Sequence, residues 1–162
     1  MKVSFSDLPE NSKLWIYTAD RELSNDEVNL VEKNSNKFLG NWKSHGQNIQ
    51  GSILIPYNHF IVICANQEGQ NLSGCSIDDS VRFIKTIEED LDISLLNRQI
   101  VSFKEGEDIK KINFNNIKSE VTAGNLKSNT IVFNTLINSK KDYIDKWETT
   151  ASNSWLNKFI TK

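Results

Sequence analysis

Apolar side chains recur along the chain with two periods, about 2 residues and about 3.6 residues, and the order in which those periods alternate predicts the fold. Residues 14–18, Leu-Trp-Ile-Tyr-Thr, are a β-branched and aromatic run closed by the polar pair Asp20-Arg21, and they read as a first strand. Ser24 and Glu27 then stand in the spacing of a capping box, in which side chain and backbone satisfy each other's amides, so a helix begins there. Val28, Val31, Phe38 and Trp42 keep one face of it apolar, and His45-Gly46 reads as its left-handed stop. Two β-rich runs, 52–57 and 59–65, meet at Pro56-Tyr57-Asn58-His59 in a tight turn and predict a hairpin. Beyond a polar loop, Ser76-Ile77-Asp78-Asp79 reads as the cap of a second helix with Ile77, Val81, Ile84, Ile87 and Leu91 as its buried stripe. Residues 99–104 follow as a fourth strand.

This β-α-β-β-α-β order over residues 13–105 is that of the α+β, ferredoxin-like split βαβ arrangement, an antiparallel sheet with two helices on one face. Residues 106–162 add a charged turn, a strand near 130–134 and a C-terminal extension containing Trp147, Trp155 and Phe159, expected to pack on the core. Along the first strand, Trp15 and Tyr17 alternate with Leu14 and Ile16, so both sheet faces are apolar and the second face needs a cover. The Trp-containing tail is the expected cover, and a homodimer or a protein partner through that face is the alternative.

A length of 162 residues fits one domain, residues 1–162, since about 100 to 200 residues per domain is usual. The formal net charge of −2 offers no basic field for phosphate backbones, which argues against nucleic acid as a partner. The longest apolar stretch, 60–65, is far below the ~20 residues that span a bilayer, so membrane insertion is not expected and the chain reads as cytoplasmic. Two cysteines, Cys64 and Cys75, are too few for a disulfide framework. They and the two histidines form no metal-binding pattern, so neither a metal nor a cofactor is expected.

The expected topology gathers residues that are distant in sequence. His45 and Cys75 fall at one end of the domain; Arg21, His59 and Arg98 fall at the other. Cys75 beside a helix start, with His45 near it, has the composition of a thiol nucleophile or redox sensor, because helix amides and an imidazolium both stabilise a thiolate. Equally, Cys75 fits a Ser-Gly turn as a small residue. The loop 69–76 keeps the G-x-x-x-x-G spacing of a phosphate loop between Gly69 and Gly74, with Cys75 in the lysine position. Only the amides of Gly74, Cys75 and Ser76, together with Arg21 and Arg98, then remain as candidate anion or ligand donors. The carboxylate clusters Asp78-Asp79, Glu88-Glu89-Asp90 and 105–108 read as solvated faces. Most broadly, the chain reads as a small non-enzymatic binding module, because no complete catalytic set is present.

Four segments carry a family resemblance: Leu8, Pro9, Ser12, Trp15, Ile16 and Tyr17 near the start; His45-Gly46; Ser73-Gly74-Cys75-Ser76-Ile77-Asp78; and Thr130-Ile131-Val132-Phe133-Asn134. With these the chain resembles, over essentially its whole length, a group of short Bacteroidetes proteins that carry the label ABC transporter ATPase. Leu72-Ser73-Gly74 is similar to the opening of the LSGGQ signature of such ATPases. The resemblance implies a bacterial source; the P-loop lysine and the Walker B Asp-Glu pair of an ATPase have no counterpart in this sequence.

Overall fold

A computed structural model of the chain describes residues 1–69 and 71–160. In chain order, β1 (Lys13–Thr18) leads to α1 (Asn25–Asn41), whose start is closed by the reciprocal Ser24–Glu27 capping box. A short hairpin, β2 (Lys43–Ser44) and β3 (Gln47–Asn48), precedes β4 (Gly51–Leu54) and β5 (Phe60–Ala65). After α2 (Gly74–Leu91) come β6 (Ile100–Glu105), β7 (Asp108–Asn113), α3 (Ile117–Thr122), β8 (Ile131–Phe133), α4 (Lys140–Lys146), β9 (Glu148–Thr150) and α5 (Asn157–Ile160). The fold is mixed α+β with antiparallel sheets.

The first sheet has the order β1-β5-β4. Lys13 lies opposite Ala65 and Thr18 opposite Phe60, while Gly51 faces Ala65 from the other side. Every residue of β5 is buried, as a central strand covered on both faces requires. Alternation splits the apolar residues cleanly. Tyr17, Ile61, Ile63 and Ala65 face α1 and α2, where Val31, Leu39, Trp42, Ile84 and Ile87 receive them. Leu14, Phe60, Val62 and Cys64 face the other way, under Phe133, Ile137 and Trp147. The second face is therefore covered by the chain itself, and it is not open to the homodimer or protein partner that the sequence allowed there. Of the aromatic residues expected as cover, Trp147 takes that place, whereas Trp155 and Phe159 pack in a separate cluster around Phe103, Ile117 and Val132.

The main departure from the ferredoxin-like expectation is the fourth strand. Its place in sequence is as expected, but β6 does not pair with β1: it joins β7 and β8 in a second sheet of order β7-β6-β8-β9. Two causes are visible. A two-residue turn, Gly106-Glu107, in which Gly106 takes φ +65°, folds Asp108–Asn113 straight back on Ile100–Glu105, a local closure far cheaper than pairing with a strand some 80 residues away. The chain leaving α2 meets β1 only at its exit, where Asp20 donates to the Ser94 carbonyl, and is then held in a turn by the Glu88 carboxylate, which accepts from the N–H groups of both Leu95 (2.8 Å) and Leu96 (3.1 Å). The boundary expected at 105/106 thus falls inside a hairpin, and residues 106–162 supply three of the second sheet's four strands instead of packing on a finished core.

Two local readings also change. His45 (φ +51°) and Gly46 (φ +79°) form the turn of the β2–β3 hairpin and do not stop α1, which ends at Asn41. Trp42 is held there by its indole N–H, which donates to the Ser76 carbonyl at 2.8 Å. The cap of α2 is Ser73, not Ser76; Ser76 lies inside the first turn, buried, with its N–H donated to the Ser73 hydroxyl.

Candidate functional site

The departure of β6 leaves one edge of β1 without a neighbouring strand over its middle. In the ladder to β5, odd-numbered residues of β1 face inward: Ala19 donates to the His59 carbonyl, continuing the register. Even-numbered residues face outward. Leu14 donates to the Asn138 carbonyl at 3.0 Å and Asp20 to the Ser94 carbonyl at 3.1 Å, so both ends of the outer edge are occupied. Between them lie Ile16 and Thr18, whose outward N–H and C=O groups have no hydrogen-bond partner among the described residues.

That stretch opens into a cavity of about 240 Å³. One wall is residues 95–98 with Ile100; the other is residues 135–138. Apolar side chains dominate, notably Ile16, Leu96, Ile100 and Leu136, and Leu136 is 75% exposed at the mouth. Among the described residues, Lys13 and Arg98 are the charged residues of the lining, and no carboxylate joins them. Burial pushes the Tyr17 phenol above its ordinary range, and the nearby Arg98 guanidinium pulls it partly back.

The residues expected to carry chemistry are arranged as follows. His45 and Cys75 do lie at the same end of the domain: the Ser44 hydroxyl, beside His45, accepts from the Ser73 N–H at 3.0 Å, just ahead of Cys75. Both side chains are exposed, and among the described residues no hydrogen bond joins them. Cys64 is buried mid-strand, and that burial pushes its thiol up to about 12, where it remains protonated. In the loop 69–76, Gln70 lies outside the described residues; Gly74 and Cys75 head α2, while the Ser76 amide is already spent on Ser73.

Arg21 does not face an open site. Its guanidinium makes two 2.7 Å contacts with the Glu27 carboxylate and a third bond to the Leu91 carbonyl. This pairing, with the Ser24 amide, holds Glu27 down at about 2. Of the three residues expected together at that end, only Arg98 lines the cavity, and His59 sits apart, its Nδ1 buried and without a hydrogen-bond partner among the described residues. Burial and nearby Lys111 both lower the His59 imidazole. Among the described residues, no group of three or more His, Cys, Asp or Glu side chains is placed to hold a metal ion, and no helix is long and apolar enough to cross a membrane.

Sequence reasoning missed the open edge. The signal lay in Glu88, whose position on the solvated-looking cluster Glu88-Glu89-Asp90 hides its role in fixing the exit loop of α2. The hairpin turn at Gly106-Glu107 was the other signal, because a strand with a local partner does not need β1.

No protein-family model, no curated protein and no solved structure matches the chain.

Proposed function

We propose that the protein is a small non-enzymatic binding module whose ligand site is the open edge of β1. The observation that carries this reading is the pair of backbone donor and acceptor sets at Ile16 and Thr18, facing a cavity lined by apolar side chains and two cations. Unpaired strand edges are usually blunted or covered, because they invite pairing. A concave, mostly apolar lining with a few convergent polar groups is the ordinary make-up of a binding site.

The test is a two-dimensional NMR titration of the full chain with N-methylacetamide, a probe carrying one amide donor, one acceptor and two methyl groups. Shift changes at Ile16, Thr18, Leu96 and Leu136 are expected. Changes centred on Gly74 and Cys75, or none at all, would overturn the assignment of the site.

A further inference from the structure

Resting on that reading, we infer that the occupant of the open edge is an extended peptide segment of a partner protein, acidic at its ends and apolar between, which adds to β1 as a strand.

The backbone argues for an extended peptide. Ile16 and Thr18 each present an N–H and a C=O outward, and two residues of strand separate the two sets by about 6.6 Å. A second extended backbone matches that repeat with its own donors and acceptors, as in other cases of strand addition. A compact ligand reaches one set and leaves the other unanswered. The ends of the slot set its length: Asn138 closes it at Leu14 and Ser94 closes it at Asp20, leaving room for a segment of about five residues at ~3.3 Å each.

The side chains argue for its composition. Lys13 lies at the Leu14 end and Arg98 on the wall of residues 95–98, close enough to Tyr17 to act on its phenol, so two cations face the slot, while the Asp20 carboxylate at the far end is engaged by the Ser94 N–H. With no carboxylate in the lining among the described residues, a segment with acidic residues at its ends is attracted and a basic one repelled. Alternate residues of an added strand point to the same face. Those directed toward Ile16 and the exposed Leu136 meet apolar surface, which favours valine, isoleucine or leucine there.

The experiment uses the full chain and two capped five-residue peptides with a Val-Thr-Val centre, one with glutamate at both ends and one with lysine. Calorimetry reads affinity, and amide hydrogen exchange reads Ile16 and Thr18. The glutamate peptide is expected to slow exchange at both amides and to bind about tenfold more tightly than the lysine peptide, the size expected from two exposed charge pairs of opposite sign. In the double variant Lys13→Glu, Arg98→Glu that preference is expected to reverse. Equal affinity for the two peptides would overturn the charge selection. If neither peptide slows exchange while N-methylacetamide still shifts Ile16 and Thr18, strand addition fails and the binding-module reading stands; if neither probe acts, both fail. Concentration-dependent protection of Ile16 and Thr18 in the free protein, together with dimers in sedimentation, would assign the edge to a second copy and overturn the partner peptide.

Discussion

Lys111 of β7 donates a hydrogen bond from its ammonium to the carbonyl of Ala19, the residue at the exit of β1. That carbonyl would ordinarily accept from His59 across the ladder, but the His59 N–H turns back to the Pro56 carbonyl in the tight turn before β5. A lysine from the second sheet therefore completes the hydrogen bonding of the first. The contact comes at a cost, because the partly buried ammonium loses hydration. Burial lowers the Lys111 pKa to about 8, against the partial compensation of Asp20 and Glu22.

The sign of the resulting pH dependence is fixed. A lysine with a folded pKa near 8 and an unfolded value near 10.4 binds more protons when unfolded between those limits, so stability rises as pH increases through the window from about 8 to about 10.4. Replacing Lys111 by Met is expected to flatten that rise. Urea midpoints of wild type and Lys111→Met at several alkaline pH values check it, and parallel curves would refute the assignment.

Glu88 holds the exit loop of α2 through two amide bonds, and its loss leaves the N–H groups of Leu95 and Leu96 without their acceptor. Glu88→Ala is expected to cost about 1–3 kcal/mol, the usual range for stranding a donor that had a charged partner. Faster amide exchange confined at first to Leu95 and Leu96 would distinguish this from a general loss of stability. Exchange unchanged at those two amides would show that the loop is held by something else.

Trp147 closes the second face of the first sheet, with its ring 5.1 Å from Phe60, 5.0 Å from Phe133 and 4.9 Å from Tyr143, measured between centroids. Trp147→Ala is expected to destabilise the protein by about 3–5 kcal/mol through lost packing and the cavity left behind. Trp155→Ala, which empties a different cluster, is expected to leave the Tyr143 environment unchanged. Near-ultraviolet circular dichroism of the two variants separates the effects.

Several elements were legible in the sequence because their causes are local. The Ser24–Glu27 capping box, the stripe of Ile84 and Ile87 in α2 and the turn at Pro56 all depend on residues within a few positions of one another. The alternation in β1 also correctly announced a sheet covered on both faces. What was not legible was the choice of partner for β6. Its β-rich pattern suits either sheet equally, and the decision rests on the Gly106-Glu107 turn and on a Glu88 side chain bonded seven and eight residues away. In β7, the run Asp-Ile-Lys-Lys-Ile-Asn carries too little alternation to announce a strand. The candidate site shares this limit, because an unpaired edge exists only once the strand that might have paired with it has gone elsewhere. Topology alone points to Arg98, which lines the cavity; it points equally to Arg21, which is consumed by Glu27, a partner six residues away.

The residues that cover the second face of the first sheet, Phe133, Ile137 and Trp147, lie far downstream of the strands they protect. During synthesis from the N-terminus, Leu14, Phe60, Val62 and Cys64 are made before these three residues exist, when only Leu8, Val3 and Phe5 of the cluster precede them. At ~5–20 residues per second, the 82 residues between Cys64 and Trp147 leave that surface only partly covered for several seconds, with β1 and β5 already able to pair. The nascent chain therefore passes through a stage in which it is sticky in a way the finished protein is not.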